Sequence, residues 1–276
     1  MLQNNGKSIG LATPVPRIAT VAVLGASTAM GKSTLADALA SFFEAAGVAV
    51  HTVRIETARR KAEFPSYNTF IDLDSVKDAA NMVGGEAALF DGVWRKIKLA
   101  IDGGHVVVID GGAGAQRLLL DVAGPTGLAG LVAARGALCW VVVVTTPDPE
   151  SARQAAALIA DVQDRMPEAR ILLAVNHISP IPPGMDTQQA RAFKAILDPL
   201  AIPKIEIPFA GAQSLAAFAD SQRTVREILR ADEDQLTRWS KKGELASLSA
   251  QAHLAAWWGR IVDQLTKVWP FDAPNR

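Results

Sequence analysis

"IATVAVLGASTAMGKSTLADALA", residues 18–40, is the stretch on which the fold of this chain turns. It opens as a nearly continuous apolar run, passes through small residues, and ends in Gly31-Lys32-Ser33-Thr34 followed by apolar residues at helical spacing. Strand, loop and helix in that order are the context that a phosphate-binding loop requires. In such a loop Gly31 lets the backbone approach phosphate oxygens, with Ala29 and Met30 beside it. Lys32 neutralises the β- and γ-oxygens, and the Ser33 hydroxyl binds Mg²⁺ with Thr34 next to it in the first helical turn. The first half departs from the usual pattern. Its leading glycine belongs where Ala26 stands, and Gly25 comes one residue too early. Ala26, Ser27, Thr28 and Ala29 restrict the backbone where glycines would free it. The plain alternative is a strand-to-helix turn carrying an exposed lysine.

Three more runs are as apolar as the first: "HVVVID" from His105, "CWVVVVT" from Cys139 and "RILLAV" from Arg170. Unbroken β-branched runs suit strands covered on both faces by helices. "AVHTVRIE" from Ala49 and "PKIEIPF" from Pro203 are weaker and bring the set to about six. Helices are predicted between them. Lys32 to Gly47 places Leu35, Leu39, Phe42, Phe43 and Ala46 on one face, and Asp148 with Pro149 opens another helix as N-cap and first residue. The predicted fold is α/β: a doubly wound, mostly parallel sheet flanked by helices, with ligands at the carboxyl ends of the strands and a C-terminal helical extension. The expected division is a flexible lead over 1–17, a nucleotide-binding domain over 18–230, and the extension over 231–276.

Composition agrees with a globular chain. Of 276 residues 49% are apolar and 20% charged, enough to bury a large core, and Lys plus Arg balances Asp plus Glu at 28 each. No global charge therefore favours a polyanionic partner. The single Cys139 lies inside an apolar run and reads as a small buried hydrophobe. With no signal-like core and no run of the length a membrane span needs, a cytoplasmic protein is expected.

A second motif, "VVVIDGGAG", ends a strand on Asp110. A carboxylate there needs a cation or donors, and a Mg²⁺ shared with Ser33 and the phosphates would supply one. Gly114 is placed to offer its N–H to the γ-phosphate; the alternative is an acidic cap on a tight turn. Asn176 ends a later strand. GTP-binding folds carry an aspartate three residues on, and Ser179 stands there, so adenine is favoured, with Asn176 at the base edge and Pro208 and Phe209 as its wall.

The order "MGKST", "VVVIDGGAG", "VVVVTTPDPESARQAAALI", "LLAVNHI" and "IPKIEIPFAG" resembles the ParA/MinD class of P-loop ATPases over Ile18 to Phe218. The resemblance implies ATP and Mg²⁺ as cofactors, ATP hydrolysis to ADP and phosphate, a homodimer around two nucleotides, and nucleotide-controlled attachment to DNA, membrane or a protein in partition, positioning or conjugal transfer. It also implies catalytic roles for Lys32 and Asp110, and for an acidic residue after the second strand. Glu56 is the nearest equivalent, with Asp72 and Asp74 as later candidates and solvated loop charges as the alternative. The class carries a second lysine early in the loop, reaching the other subunit's nucleotide; Ser27 stands in its place here. A small-molecule kinase or ATP-dependent synthetase on the same scaffold, and a nucleotide-binding scaffold without turnover, remain as competing readings.

The C-terminal part holds "DSQRTVREILRADEDQLTRWSKKGE", read as helix with a solvated face. Next comes a stripe of Leu254, Trp257, Trp258, Ile261, Val262, Leu265, Val268 and Trp269 on one helical face. Packing on its own domain is the leading expectation for that stripe. A docking face for a protein partner comes second. Membrane-surface binding is disfavoured by the small positive charge of the polar face, and acidic residues dilute any DNA-binding patch.

Overall fold

A computed structural model describes residues 17–27, 30–56, 68–75, 78, 85–112, 114–178, 187–211, 214–218, 221 and 223–270. Its centre is a seven-stranded sheet in which every pairing is parallel. The strands are β1 (Arg17–Leu24), β2 (Val50–Glu56), β3 (Thr69–Asp72), β4 (Val106–Gly111), β5 (Ala137–Thr145), β6 (Arg170–Asn176) and β7 (Lys204–Ile207). Their spatial order is β3-β2-β4-β1-β5-β6-β7. The expected six are all present, and the addition is β3. Its four residues, "TFID", are too few to carry an apolar signature, and pair along β2 from Val53 to Glu56.

Helices cover both faces, which is why the strands read as unbroken apolar runs. On one side lie α1 (Lys32–Ala45), α7 (Val225–Arg230), α8 (Glu233–Ser240) and α9 (Glu244–Val268); on the other lie α2 (Asp91–Gly103), α3 (Ala115–Ala123), α4 (Leu128–Ala133), α5 (Pro149–Arg165) and α6 (Gln188–Leu197). The alternation along each strand decides the partner. Val21, Val23, Val106 and Val108 join the α1 layer, while Ala22, Leu24, Val107 and Ile109 join the opposite one. Cys139 is buried, which pushes its thiol up to about 12. Asp148 caps α5 by accepting from the Ser151 N–H at 2.9 Å, as its place before Pro149 predicts.

β1 sits between β4 and β5, and the chain leaves it first to one side and then to the other. This topological switch point opens a crevice at the carboxyl end of β1, where the Gly31–Lys32 loop lies.

The stretch read as one helix after Phe218 is two. Thr224 and Asp232 each form a capping box, with Glu227 and Gln235 respectively, so the second box restarts the helix just after Arg230. The tryptophan stripe of α9 packs inward. Trp257 is 2% and Trp269 3% exposed, and Leu254, Ile261 and Leu265 are buried in the α1-side core. The Trp269 ring lies 5.5 Å from Phe43 and 5.3 Å from Trp140, the latter edge-on. Trp257 donates to the Pro208 carbonyl at 2.8 Å. Packing on its own domain, the leading expectation, is what the stripe does, and a partner-docking face is corrected: Leu254, Trp257, Ile261, Leu265 and Trp269 are covered by the chain itself, with Trp258, Val262 and Val268 half-buried beside them. Among the described residues no helix is long and apolar enough to cross a membrane.

Two side chains link α1 to α7. Asp37 accepts from the Val225 N–H at 3.0 Å, and Arg226 pairs with Glu44 at 2.8 Å. Burial pushes Asp37 from 3.8 up to about 6, helped by nearby Glu227 and Glu44 and opposed by the Val225 N–H.

Replacing Trp269 by alanine removes the ring that joins α9 to Phe43 and Trp140, and is expected to lower unfolding free energy by about 3–5 kcal/mol in urea titrations. The folded chain holds the Asp37 proton more tightly than the unfolded chain, so this group's stabilisation is complete below 3.8 and is lost as pH rises through about 6. Asp37→Asn is expected to abolish that downward slope, measured as urea midpoints across this range.

Candidate functional site

The first turn of α1 begins at Gly31, whose φ of 81° is left-handed. An added Cβ there would fall 2.2 Å from Asn176 Nδ2, so the position demands glycine on two counts. Asn176, at the end of β6, donates from that nitrogen to the Met30 carbonyl at 2.8 Å. The residue expected at the base edge is thus also tied to the loop. Ala29 lies outside the described residues.

Lys32 is buried, and its Nζ donates to the Ser27 carbonyl at 2.5 Å, curling back over its own loop. Ser27 in turn donates from Oγ to Gln154 Oε1 of α5 at 2.8 Å. The position that carries a lysine toward a second subunit in the ParA/MinD class is therefore bonded within this chain.

The sheet brings the acidic residues to the same place. Val53 and Ile55 of β2 point into the far layer, so Thr52, Arg54 and Glu56 face α1. Val106 and Val108 of β4 face α1 too, which puts Asp110 on that side at the strand's end. Arg54 and Asp110 are direct partners in the β2–β4 register. Arg54 Nη1 donates to Asp110 Oδ2 and to Ser33 Oγ, and Nη2 bonds Glu56 Oε2 at 3.2 Å. Arg54 is 2%, Glu56 3% and Asp110 0% exposed, so this is an ion cluster withdrawn from water. Breaking one member of such a cluster strands the opposite charge at a cost of about 3–5 kcal/mol.

Ser33 and Asp110, the two expected Mg²⁺ ligands, do converge. The point on which they converge is held by the Arg54 guanidinium. Magnesium wants near-octahedral oxygen ligands at about 2.0–2.1 Å, and does not fit between these two groups beside the arginine. Arg54 was not among the expected site residues. A charged residue amid Val53 and Ile55, two before Glu56 and so on the same face, is the trace it leaves in the sequence, and it names no partner.

The remaining candidates are spread around this centre. Glu56, expected after β2, is its last residue; the Gly112 N–H bonds the neighbouring Ile55 carbonyl at 2.8 Å, and a Cβ on Gly112 would strike Glu56 Oε2 at 2.2 Å. Asp72 ends β3 opposite Glu56 in register and accepts from Ser75. Asp74 lies in the following 3-10 turn, with its side chain outside the described atoms. Gly114 takes a left-handed φ of 82° and caps α3 from an exposed position. Pro208 and Phe209 follow β7, half-buried, with the Pro208 carbonyl engaged by Trp257. Thr34 and Ser33 line a groove of about 520 Å³ along α1 that continues past Asp37 to Phe218 and Arg223. Its described lining does not include Asn176, Pro208 or Phe209.

No protein-family model matches this chain, and no curated protein matches it. Among solved structures it is similar to a Cyanothece McdA–ATP complex at 12% identity and a TM-score of 0.51, over 87% of this chain and 98% of that one. It is also similar to the MinC:MinD cell division protein complex of Aquifex aeolicus, at 16% identity and a TM-score of 0.49, over 87% and 96%. At such identity the shared property is the fold: an all-parallel sheet flanked by helices on both faces.

Gly31→Ala is expected to lower unfolding free energy by about 1–3 kcal/mol, from the left-handed backbone and the clash with Asn176. Urea unfolding of Gly31→Ala with and without Asn176→Ala checks this, and the loss should shrink in the double variant.

Proposed function

We propose that this chain is an ATP-binding and slowly ATP-hydrolysing molecular switch of the ParA/MinD type, acting in DNA partition, positioning or conjugal transfer through nucleotide-dependent attachment to a partner. One observation carries the reading: at the carboxyl end of the central strand the buried Lys32 folds back on its own loop, while its neighbour Ser33 meets Asp110 and Glu56 through Arg54. Buried positive charge beside a backbone turn and a helix N-terminus is the chemistry that holds polyphosphate.

Hydrolysis on such a site rests on positioning and charge neutralisation, without a covalent nucleophile. Lys32 is the residue that meets the terminal phosphates, exchanging its bond to the Ser27 carbonyl for phosphate oxygens. Glu56 is the acidic group that orients water, and its engagement with Arg54 makes it a weak acceptor, in keeping with slow turnover. Asn176 reads the adenine edge, and its bond to Met30 couples that contact to the shape of the loop. With Ser27 tied to Gln154, the switch works without a lysine supplied by a second subunit.

Calorimetric titration of ATP, ADP and GTP, with phosphate release followed in the same samples, tests the reading. Wild type is expected to bind ATP at about micromolar Kd and GTP more weakly, and Lys32→Ala to lose ATP affinity by about 100-fold or more. Absence of ATP binding by wild type overturns it.

A further inference from the structure

We propose that Arg54 is the built-in cation of the phosphate site, so that this chain holds its nucleotide without a divalent metal ion; the proposal rests on the nucleotide reading above. The guanidinium bonds Ser33 and Asp110 at once, occupying the place where a metal would join them. Its backbone cannot withdraw, because β2 is paired along this stretch to β3 on one side and β4 on the other, with Arg54 opposite Phe70 and Asp110.

Charge balance points the same way. Among the described residues, Arg54 already pairs with the buried carboxylates of both Asp110 and Glu56, so a cation meets these charges before any ligand arrives. A Mg²⁺ placed beside Arg54 would bring like charges together in a region of low dielectric, where repulsion is poorly screened. Moving the guanidinium aside to admit the ion would part it from two buried carboxylates, a costly separation. A planar guanidinium, in contrast, presents several N–H donors in a fixed fork that suits carboxylate and phosphate oxygens together. Phosphates laid over Lys32 and Ser33 meet that fork at the position a hydrated ion would take. Arg54 thus becomes a binding residue for the terminal phosphates, with Asp110 and Glu56 as the groups that position it.

The test is calorimetric titration of ATP and ADP into the wild-type chain, once in excess EDTA and once in excess Mg²⁺. Wild-type affinity is expected to agree within about threefold between the two buffers. A loss of about 30-fold or more on chelation overturns the proposal while leaving the nucleotide reading intact. Absence of binding in both buffers overturns the nucleotide reading and the proposal with it. The double variant Arg54→Met/Glu56→Gln removes the cation with one of its counter-charges and leaves Asp110 for a metal. Its folding is checked by circular dichroism, and the wild-type comparison stands without it. The folded double variant is expected to bind ATP at least about tenfold more weakly in EDTA than in Mg²⁺. Indifference of this variant to chelation would show that Arg54 is not the cation and would overturn the proposal.

Discussion

A guanidinium buried in the middle of a strand is the constraint around which this molecule's functional edge is organised. Arg54 faces Asp110 across the β2–β4 register, reaches Ser33 on α1 and bonds Glu56 two residues along its own strand. Withdrawing a charge from water is tolerable only when its partners are in place. The pairing therefore fixes β2, β4 and the first turn of α1 relative to one another more tightly than apolar contact alone. The two carboxylates and the start of α1 take their spacing from it.

Much of the fold could be read from sequence because its signals are strong and local. Strands buried on both faces leave runs such as "CWVVVVT", and a loop between such a strand and an amphipathic helix leaves Gly31 and Lys32 in a recognisable place. β3 escaped because four residues at a sheet edge carry too little apolar area to stand out from a loop. The break between α7 and α8 escaped because capping boxes at Thr224 and Asp232 are written in polar residues, which also suit a solvated helix face. The stripe of α9 was legible as a periodic face, and its packing on its own domain was the leading expectation; which elements cover it is something periodicity does not say.

The site was legible in part for the same reason. Lys32, Ser33, Asp110 and Glu56 sit at strand or helix ends, where topology alone brings them together. Arg54 belongs to no end and no motif. Its role comes from register, a long-range property decided by how β2 aligns with β4, and only the three-dimensional pairing reveals that its neighbour is Asp110. Likewise nothing in "ASTAMGKST" indicates that Ser27 would find Gln154, a residue 127 positions away.

The contacts of α1 carry a mechanical consequence. At its start the helix is tied into the ion cluster through Ser33, and near its end Phe42 and Phe43 are gripped by Trp269, while Asp37 and Glu44 tether its flank to α7. A rod pinned at both ends and along one side cannot act as a piston. It is instead a fixed anvil, holding the carboxyl edge of the sheet to α7 and to Trp269.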